Sequence, residues 1–394
     1  MTFPSFLKHW REYRRFARLP YDQRQVVIYS EGPAYWPHLK EIIFRLTDDR
    51  GQPVCYISSH HNDPGLSQSH PLIRPFQIGD GAVRTIFLNT IECNVLVMTM
   101  PDLDALYIKR SKNVRHYAYL FHSLVSTSMI YREDAFDAYD SIFLGGPHHY
   151  FEIREREKKR SLRPKLLLEH GYSRMDEILK TRGDSEPNIS NQPSDDVPLV
   201  IIAPSWGPNC LIESGLAESV IESLLRHKYE VALRPHPVTI QKHSKEIDRL
   251  RKQYRDTKSF YYDDHTVGDI FIRQSSVMIS DWSGAALDYA FGLEKPVLFI
   301  DTPPKVNNPN WKVYSRTPIE MACRNKLGTV LPLHDLETTG KAVSALIRDS
   351  ELIRQSIITT REKSVFNITK SSDAAAEHLL NLTGQFSENR TQGL

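Results

Sequence analysis

The sequence predicts an α/β protein of two doubly wound domains facing a cleft, each built on a parallel sheet with helices on both faces. Three observations predict it. Short, apolar, β-branched runs alternate with helix-period segments along most of the chain, as expected of strands buried on both faces of a parallel sheet. The alternation stops at "TRGDSEPNISNQPSDDVP" (181–198), polar and without hydrophobic period, and then begins again. A length of 394 residues also exceeds one typical core and suits two domains of roughly 150 to 200 residues each.

The chain opens with "FPSFLKHWREYRRFARLP", in which Phe3, Phe6, Leu7, Trp10, Tyr13 and Phe16 fall near helical spacing among Lys8, Arg11, Arg14, Arg15 and Arg18. This predicts a basic amphipathic helix over residues 1–20, ended by Pro20. Two readings stay open for it: a helix packed on the domain with a solvated basic face, or an interfacial helix on an anionic membrane leaflet.

The first domain, 21–182, then reads as "QVVIYS" (25–30), a helix from about Tyr35 to Thr47, and the strands "PVCYISS" (53–59), "CNVLVMTM" (93–100), "VRHYAYLFH" (114–122) and "SIFLG" (141–145). The charged segment "FEIREREKKRSLRP" (151–164) reads as a solvated helix, and "KLLLEHGYSRMDEILK" as a strand, a turn at Gly171 and a helix start. Residues 183–198 read as a linker or mobile loop.

The second domain, 199–350, repeats the pattern: "LVIIAPS" (199–205), a helix near Ser214–His227, "YEVALRPHP" (229–237), a charged helix near His243–Tyr254, "FYY" (260–262), a helix through Asp269–Gln274, "VMISD" (277–281), a helix, and "PVLFID" (296–301). Residues 351–394 read as C-terminal helices and a polar tail.

A net charge of +2 supplies no field that would gather nucleic acid. Cys55, Cys93, Cys210 and Cys323 form no CxxC pair, so neither a zinc knuckle nor a disulfide framework is indicated. No run of about 18 apolar residues occurs and the start lacks a signal-peptide core, so a cytoplasmic location is expected. The absence of GxSxG, Walker A and HExxH motifs removes several hydrolase and NTPase classes.

In doubly wound sheets ligands bind at the carboxyl ends of strands, so polar residues there are the candidates. "LRPHP" holds Arg234 and His236 at a strand end stiffened by Pro235 and Pro237. "ISDWSGAALDYAF" carries Ser280, Asp281, Ser283 and Gly284 into a helix containing Asp288; helix N–H groups beside a Ser hydroxyl suit a phosphate, and equally suit a plain N-cap. "APSWG" places Ser205 at a third strand end, where a substrate or a simple turn fits.

In the first domain "YLFHS" ends a strand at His122, whose neutral imidazole could accept a proton. "GGPHHY" offers His148 and His149, which point to opposite sides if the chain is extended and so do not share a metal. "DLD" (Asp102–Asp104) resembles the metal-binding Asp-x-Asp of some glycosyltransferases, a three-residue pattern that also arises by chance.

These stations together resemble the CDP-glycerol glycerophosphotransferases of teichoic acid and capsule synthesis. "LRPHP" is similar to that family's Arg-x-His-Pro, "SDWSGAALDYAFGLEKPVLFID" to its Asp-Tyr-Ser-Ser turn with the helix and strand that follow, "HGYSRMDEIL" to Gly-Tyr-Pro-Arg-x-Asp, and "YLFHS" occupies the place of Trp-His-Gly. Departures are Ser123 for Gly, Ser173 for Pro, Trp282 for Tyr and Gly284 for the second Ser.

The resemblance implies a GT-B-type fold of two Rossmann-like domains, with a CDP-linked donor held mainly by the second. It implies that His236 contacts the donor pyrophosphate, that Ser283 and the helix start bind phosphate, and that His122 is the base. The expected activity is transfer of glycerol phosphate, or a related alditol phosphate, from CDP-glycerol to a hydroxyl of a glycan or lipid-linked teichoic-acid-like polymer, releasing CMP and requiring no cofactor and no metal. Work at the inner face of the cell membrane is expected, and a homo-oligomer is compatible with it. A GT-B glycosyltransferase using a sugar nucleotide, and a non-catalytic nucleotide-binding module of a polymer assembly complex, stand as alternatives.

Overall fold

A computed structural model describes residues 3–105, 108–183, 197–264 and 269–391. Apart from its two ends, the expected linker 183–198 lies outside the described residues.

The first half comprises α1 (Phe3–Ala17), β1 (Val26–Ser30), α2 (Trp36–Phe44), β2 (Val54–Ser58), β3 (Ile73–Gln77), α3 (Ala82–Thr90), β4 (Cys93–Met98), β5 (Val114–Leu120), α4 (Thr127–Ile130), β6 (Ser141–Leu144), α5 (Pro147–Arg160), β7 (Leu166–Glu169) and α6 (Ser173–Thr181). The rest comprises β8 (Leu199–Ile202), α7 (Ala217–Arg226), β9 (Glu230–Leu233), α8 (Pro237–Lys242), α9 (Ser244–Gln253), β10 (Phe260–Tyr262), α10 (Ile270–Gln274), β11 (Val277–Ser280), α11 (Ala285–Leu293) and β12 (Val297–Ile300). After these come α12 (Ile319–Ala322), α13 (Arg324–Leu327), β13 (Gly328–Leu331), α14 (Thr339–Arg348), α15 (Ser350–Ser364) and α16 (Ser371–Thr391).

Among the described residues the strands form two parallel sheets, ordered β3-β2-β1-β4-β5-β6-β7 and β10-β9-β8-β11-β12-β13. Both orders reverse at one place, between β1 and β4 in the first and between β8 and β11 in the second. Such a switch point opens a crevice at the carboxyl ends of the strands. The central strands are buried along their whole length, which is why Val-, Ile- and Leu-rich runs build them. At the sheet edge β13 needs Gly328, because a Cβ there would lie 1.9 Å from the Val297 carbonyl oxygen.

The chain divides into two compact units: residues 1–123, 131–176 and 365–394, and residues 124–130 and 177–364. The expected division differs in three places, the first being that residues 177–182 fall in the second unit. Residues 124–130 belong to the second unit, because the Glu320 carboxylate accepts from the Ser126 N–H and hydroxyl at 2.9 and 2.7 Å and Asn308 donates to the Ser128 carbonyl at 2.9 Å. The expected C-terminal block 351–394 is split: α15 stays with the second unit, while α16 inserts Ala375, Ala376, Leu379 and Leu382 into the first unit's core beside Val26, Ile28, Val95, Leu39 and Ile43.

Helix α5 corrects two expectations. It begins at Pro147, so His148 and His149 lie on a helix and not on an extended chain. His149 stacks on Phe121 with centroids 3.9 Å apart and its Nδ1 accepts from the Gly145 N–H at 3.1 Å. Nor is the helix solvated all round: Glu152, Arg156 and Glu157 are buried. Glu157 accepts from Arg154 Nη1 at 2.6 Å and from the Lys165 N–H at 2.8 Å, satisfying a charge that would otherwise be costly inside.

The edge strand β3 and helix α3 had no counterpart in the sequence reading. In β3 only Ile73 and Phe76 are buried, and Pro75, tolerated at an edge, breaks the strand signal. Helix α1 lies on this edge: Phe16 meets Phe76 and Phe87 edge-on at 5.5 and 5.0 Å. Leu7 and the side chains of Arg11, Arg14 and Arg18 are exposed, and with Trp10 and Arg15 they line an open groove of about 500 Å³. No helix among the described residues is long and apolar enough to cross a membrane.

Candidate functional site

The second sheet's switch point gathers the loops that follow β8 and β11. Asp281, directly after β11, is buried, and its carboxylate accepts three backbone N–H groups: Ser205 at 2.7 Å, Trp282 at 2.6 Å and Leu211 at 3.0 Å. It therefore shapes the 205–211 loop, with its oxygens already occupied. Ser280 donates to the Ala203 carbonyl at 2.8 Å and ties β11 to β8 in the same way. Both were expected on the donor phosphate; the structure gives them bonds inside the protein.

Ser283 accepts the Ala285 N–H at 3.3 Å, so the cap reading of this turn holds. The hydroxyl proton remains available to a ligand, and among the described residues the N–H groups of Ser283 and Gly284 meet no protein acceptor. Helix α11 starts at Ala285 with Gly284 already helical at φ −60° and with Asp288 half-buried in its first turn. A cap, two N–H groups without a protein acceptor among the described residues and a helix dipole make an anion cradle.

His236 caps the short helix α8, where its Nδ1 accepts the Val238 N–H at 3.1 Å. An accepting Nδ1 places the ring proton on Nε2, which makes the outer nitrogen a donor. Arg234 directly follows β9, at the strand end expected for it. Its guanidinium donates to the buried Asp263 at 2.6 Å and to Asp269 at 3.3 Å, so two carboxylates already neutralise it.

Sequence reasoning missed the residues around Trp206. Lys305 Nζ donates to Ser205 Oγ at 3.1 Å and lies 4.1 Å from the Trp206 ring centroid. Lys242 Nζ lies 5.5 Å from the same ring and the His236 ring 6.2 Å from it. Burial lowers the Lys305 pKa, opposed by the fields of Cys210, Asp281 and Glu213. "DTPPKVNN" reads as a polar loop, and only its place after a core strand marks Lys305.

Trp282 is a brace. Its Nε1 donates to the Thr302 carbonyl at 2.8 Å, and its ring carries the Arg324 guanidinium at 4.0 Å.

In the first unit His122 follows β5. Burial drives its pKa down to about 4, with the Thr99 backbone pulling the other way, so the ring is neutral near pH 7. The Tyr35 ring lies edge-on at 5.1 Å and the His38 ring at 6.1 Å, and the Tyr172 hydroxyl donates to the His122 carbonyl at 3.1 Å. His38 is likewise pushed well below its ordinary value by burial, then by His122 and Arg174. Glu31, at the end of β1, is pushed up by burial against a Tyr35 hydrogen bond. "SEGPAY" gives a carboxylate at a strand end, a signal the sequence reading passed over.

Asp102 and Asp104 adopt positive φ of 62° and 70°. Asp102 lies 3.8 Å from Arg132, and Asp104 accepts the Arg110 N–H at 3.3 Å. Among the described residues no group of three or more His, Cys, Asp or Glu is arranged to hold a metal.

Two parallel-sheet units, each with one reversal of strand order, define the GT-B-type class of α/β folds. Residues 138–320 match the family model of CDP-glycerol:poly(glycerophosphate) glycerophosphotransferase, so the resemblance read from the motifs is borne out. The matched residues include the Arg234, His236 and Asp281–Gly284 stations; His122 lies before them. The fold is similar to that of the wall teichoic acid polymerase TagF, at 13% identity and TM-score 0.60 over 97% of this chain and 98% of that one. It is also similar to the UDP-GlcNAc 2-epimerase of Methanocaldococcus jannaschii, solved with UDP-GlcNAc and UDP, at 12% identity and TM-score 0.58 over 91% and 99%. No curated protein matches the sequence.

Proposed function

We propose that the chain transfers glycerol phosphate, or a related alditol phosphate, from a CDP-linked donor to a hydroxyl of a teichoic-acid-like or capsule glycan, releasing CMP. The observation that supports this most is the anion cradle of Ser283 and Gly284 at the start of α11, in a chain whose residues 138–320 match a glycerophosphotransferase family. The acceptor oxygen forms a bond to the donor's β-phosphorus, the bond from that phosphorus to the bridging oxygen breaks, and CMP leaves with the electron pair. The proton goes to His122, neutral near pH 7, while His236 Nε2–H and the α11 N-terminus stabilise the leaving phosphate. Rate would come from positioning and charge compensation, and no metal is invoked.

The proposed location is the inner face of the cell membrane, with α1 as the contact. Its exposed Leu7 and arginines suit an anionic surface.

The deciding experiment offers CDP-glycerol, CDP-ribitol and UDP-GlcNAc to the purified chain with a teichoic-acid acceptor and follows the nucleotide released. CMP release with polymer extension is expected. UDP release would favour the sugar-nucleotide reading, which the fold it shares with a UDP-GlcNAc-bound epimerase keeps in view.

A further inference from the structure

We infer that Lys305, set against Trp206 and Ser205, supplies the positive charge that meets the donor's diphosphate. The inference rests on the nucleoside-diphosphate donor reading above and adds a residue to it.

Charge accounting leads to Lys305. A bound diphosphate carries two or more negative charges, and a site for it needs a cation as well as N–H donors. Arg234 is paired with Asp263 and Asp269. Among the described residues Lys305 has no ion-pair partner: its hydrogen-bond acceptor is a neutral hydroxyl, Ser205 Oγ at 3.1 Å, and no carboxylate lies within ion-pair distance of it. Of the nearby acids, Asp281 accepts three backbone N–H groups and Glu213 accepts the Thr239 hydroxyl at 2.6 Å through one oxygen; their fields reach Lys305, but neither carboxylate meets it directly. A half-buried ammonium without a direct carboxylate partner is costly, the fields of Asp281 and Glu213 offset part of that cost, and an anion beside it offsets more.

Position supports the same conclusion. Ser205 follows β8 at the switch point of its sheet, beside β11, and is tied by its N–H to Asp281 just before the start of α11; the ring that carries Lys305 has Lys242 and His236 around it. Two ammonium groups held beside one indole repel each other, so cation–π stabilisation alone does not explain the pair. A polyanion between or beside them does.

The test titrates CDP, UDP and inorganic pyrophosphate by calorimetry into the wild type, K305M and K305R, with melting temperatures read alongside. Loss of a charge-assisted contact should weaken CDP and pyrophosphate binding about ten-fold or more in K305M, and K305R should stay close to the wild type. In the wild type, pyrophosphate should also protect Lys305 from amine-reactive labelling, read by peptide mass, which keeps the test valid if K305M folds poorly. K305M binding like the wild type, K305R losing as much as K305M, or equal labelling with and without pyrophosphate would overturn the inference and leave the donor reading standing. A wild type that binds UDP but not CDP would sink the CDP donor while Lys305 is judged on UDP; binding of no diphosphate would sink both.

Discussion

The Arg324 guanidinium lies 4.0 Å from the Trp282 ring centroid while donating to the Ile300 carbonyl at 3.0 Å, the Asp281 carbonyl at 3.3 Å and the Asp301 carboxylate at 2.7 Å. One side chain thus links the ends of β11 and β12. Replacing Trp282 by Leu removes the ring under the cation and the bond to Thr302, and should cost about 2–4 kcal/mol. W282Y, which keeps an aromatic face, should cost less. Urea denaturation of the two variants reads the difference.

D281N should loosen the loop that carries Ser205 and Lys305. An amide cannot accept three N–H groups with the strength of a carboxylate, and one charge-assisted bond lost inside is worth about 1.5–3 kcal/mol. Amide exchange at Ser205 and Leu211 should accelerate and CDP affinity should fall. Unchanged exchange at both would show that Asp281 does not hold the loop.

Acid should destabilise the first unit through two buried histidines. Burial lowers His122 to about 4 and His170 to about 3, from an ordinary value near 6.5. Below about pH 6.5 the unfolded chain binds protons that the folded chain does not, so stability falls as pH drops toward 3 and levels off below that. Each group contributes up to about 1.4 kcal/mol per pH unit inside its window. H170N should flatten the slope of unfolding free energy against pH; an unchanged slope would remove His170 from the account.

The exposed arginines of α1 can be tested without disturbing its buried Phe16. R11Q, R14Q and R18Q together should cut binding to vesicles containing anionic lipid by roughly a hundred-fold, from about 1 kcal/mol per charge, with the melting temperature unchanged. Vesicle binding equal to the wild type would leave α1 as a packing helix only.

Gly171 has φ +98°, and a Cβ there would lie 2.3 Å from the Phe366 carbonyl oxygen. G171A should therefore be destabilising by several kcal/mol and should release residues 365–391 to protease before the rest of the chain. The adjoining Asp176 holds the same return, accepting the Thr369 and Ser371 N–H groups at 2.7 and 2.9 Å.

Much of the fold was legible because core parallel strands are continuous apolar runs: "VVIYS", "LVII" and "VMIS" each reappear as central strands. β3 was hidden by Pro75 and by having only two buried positions, and β13 by its length and its opening glycine. The site was legible by place more than by role. The strand ends at 205, 236 and 281–284 were found, but Asp281 and Arg234 turned out to be engaged inside the protein, since which carboxylate meets which N–H or guanidinium depends on contacts 29 to 76 residues apart. Lys305 was missed for the same reason: its partners, Ser205 and Trp206, lie about a hundred residues earlier.

Helix α16 closes the first unit with Ala375, Ala376, Leu379 and Leu382, residues that leave the ribosome only after the whole of the second unit has been made. Until then the strands and α2 of the first unit carry an uncovered apolar stripe. Translation order therefore sets an assembly order: the second unit, whose main segment is continuous from 177 to 364, has the material to form its core first.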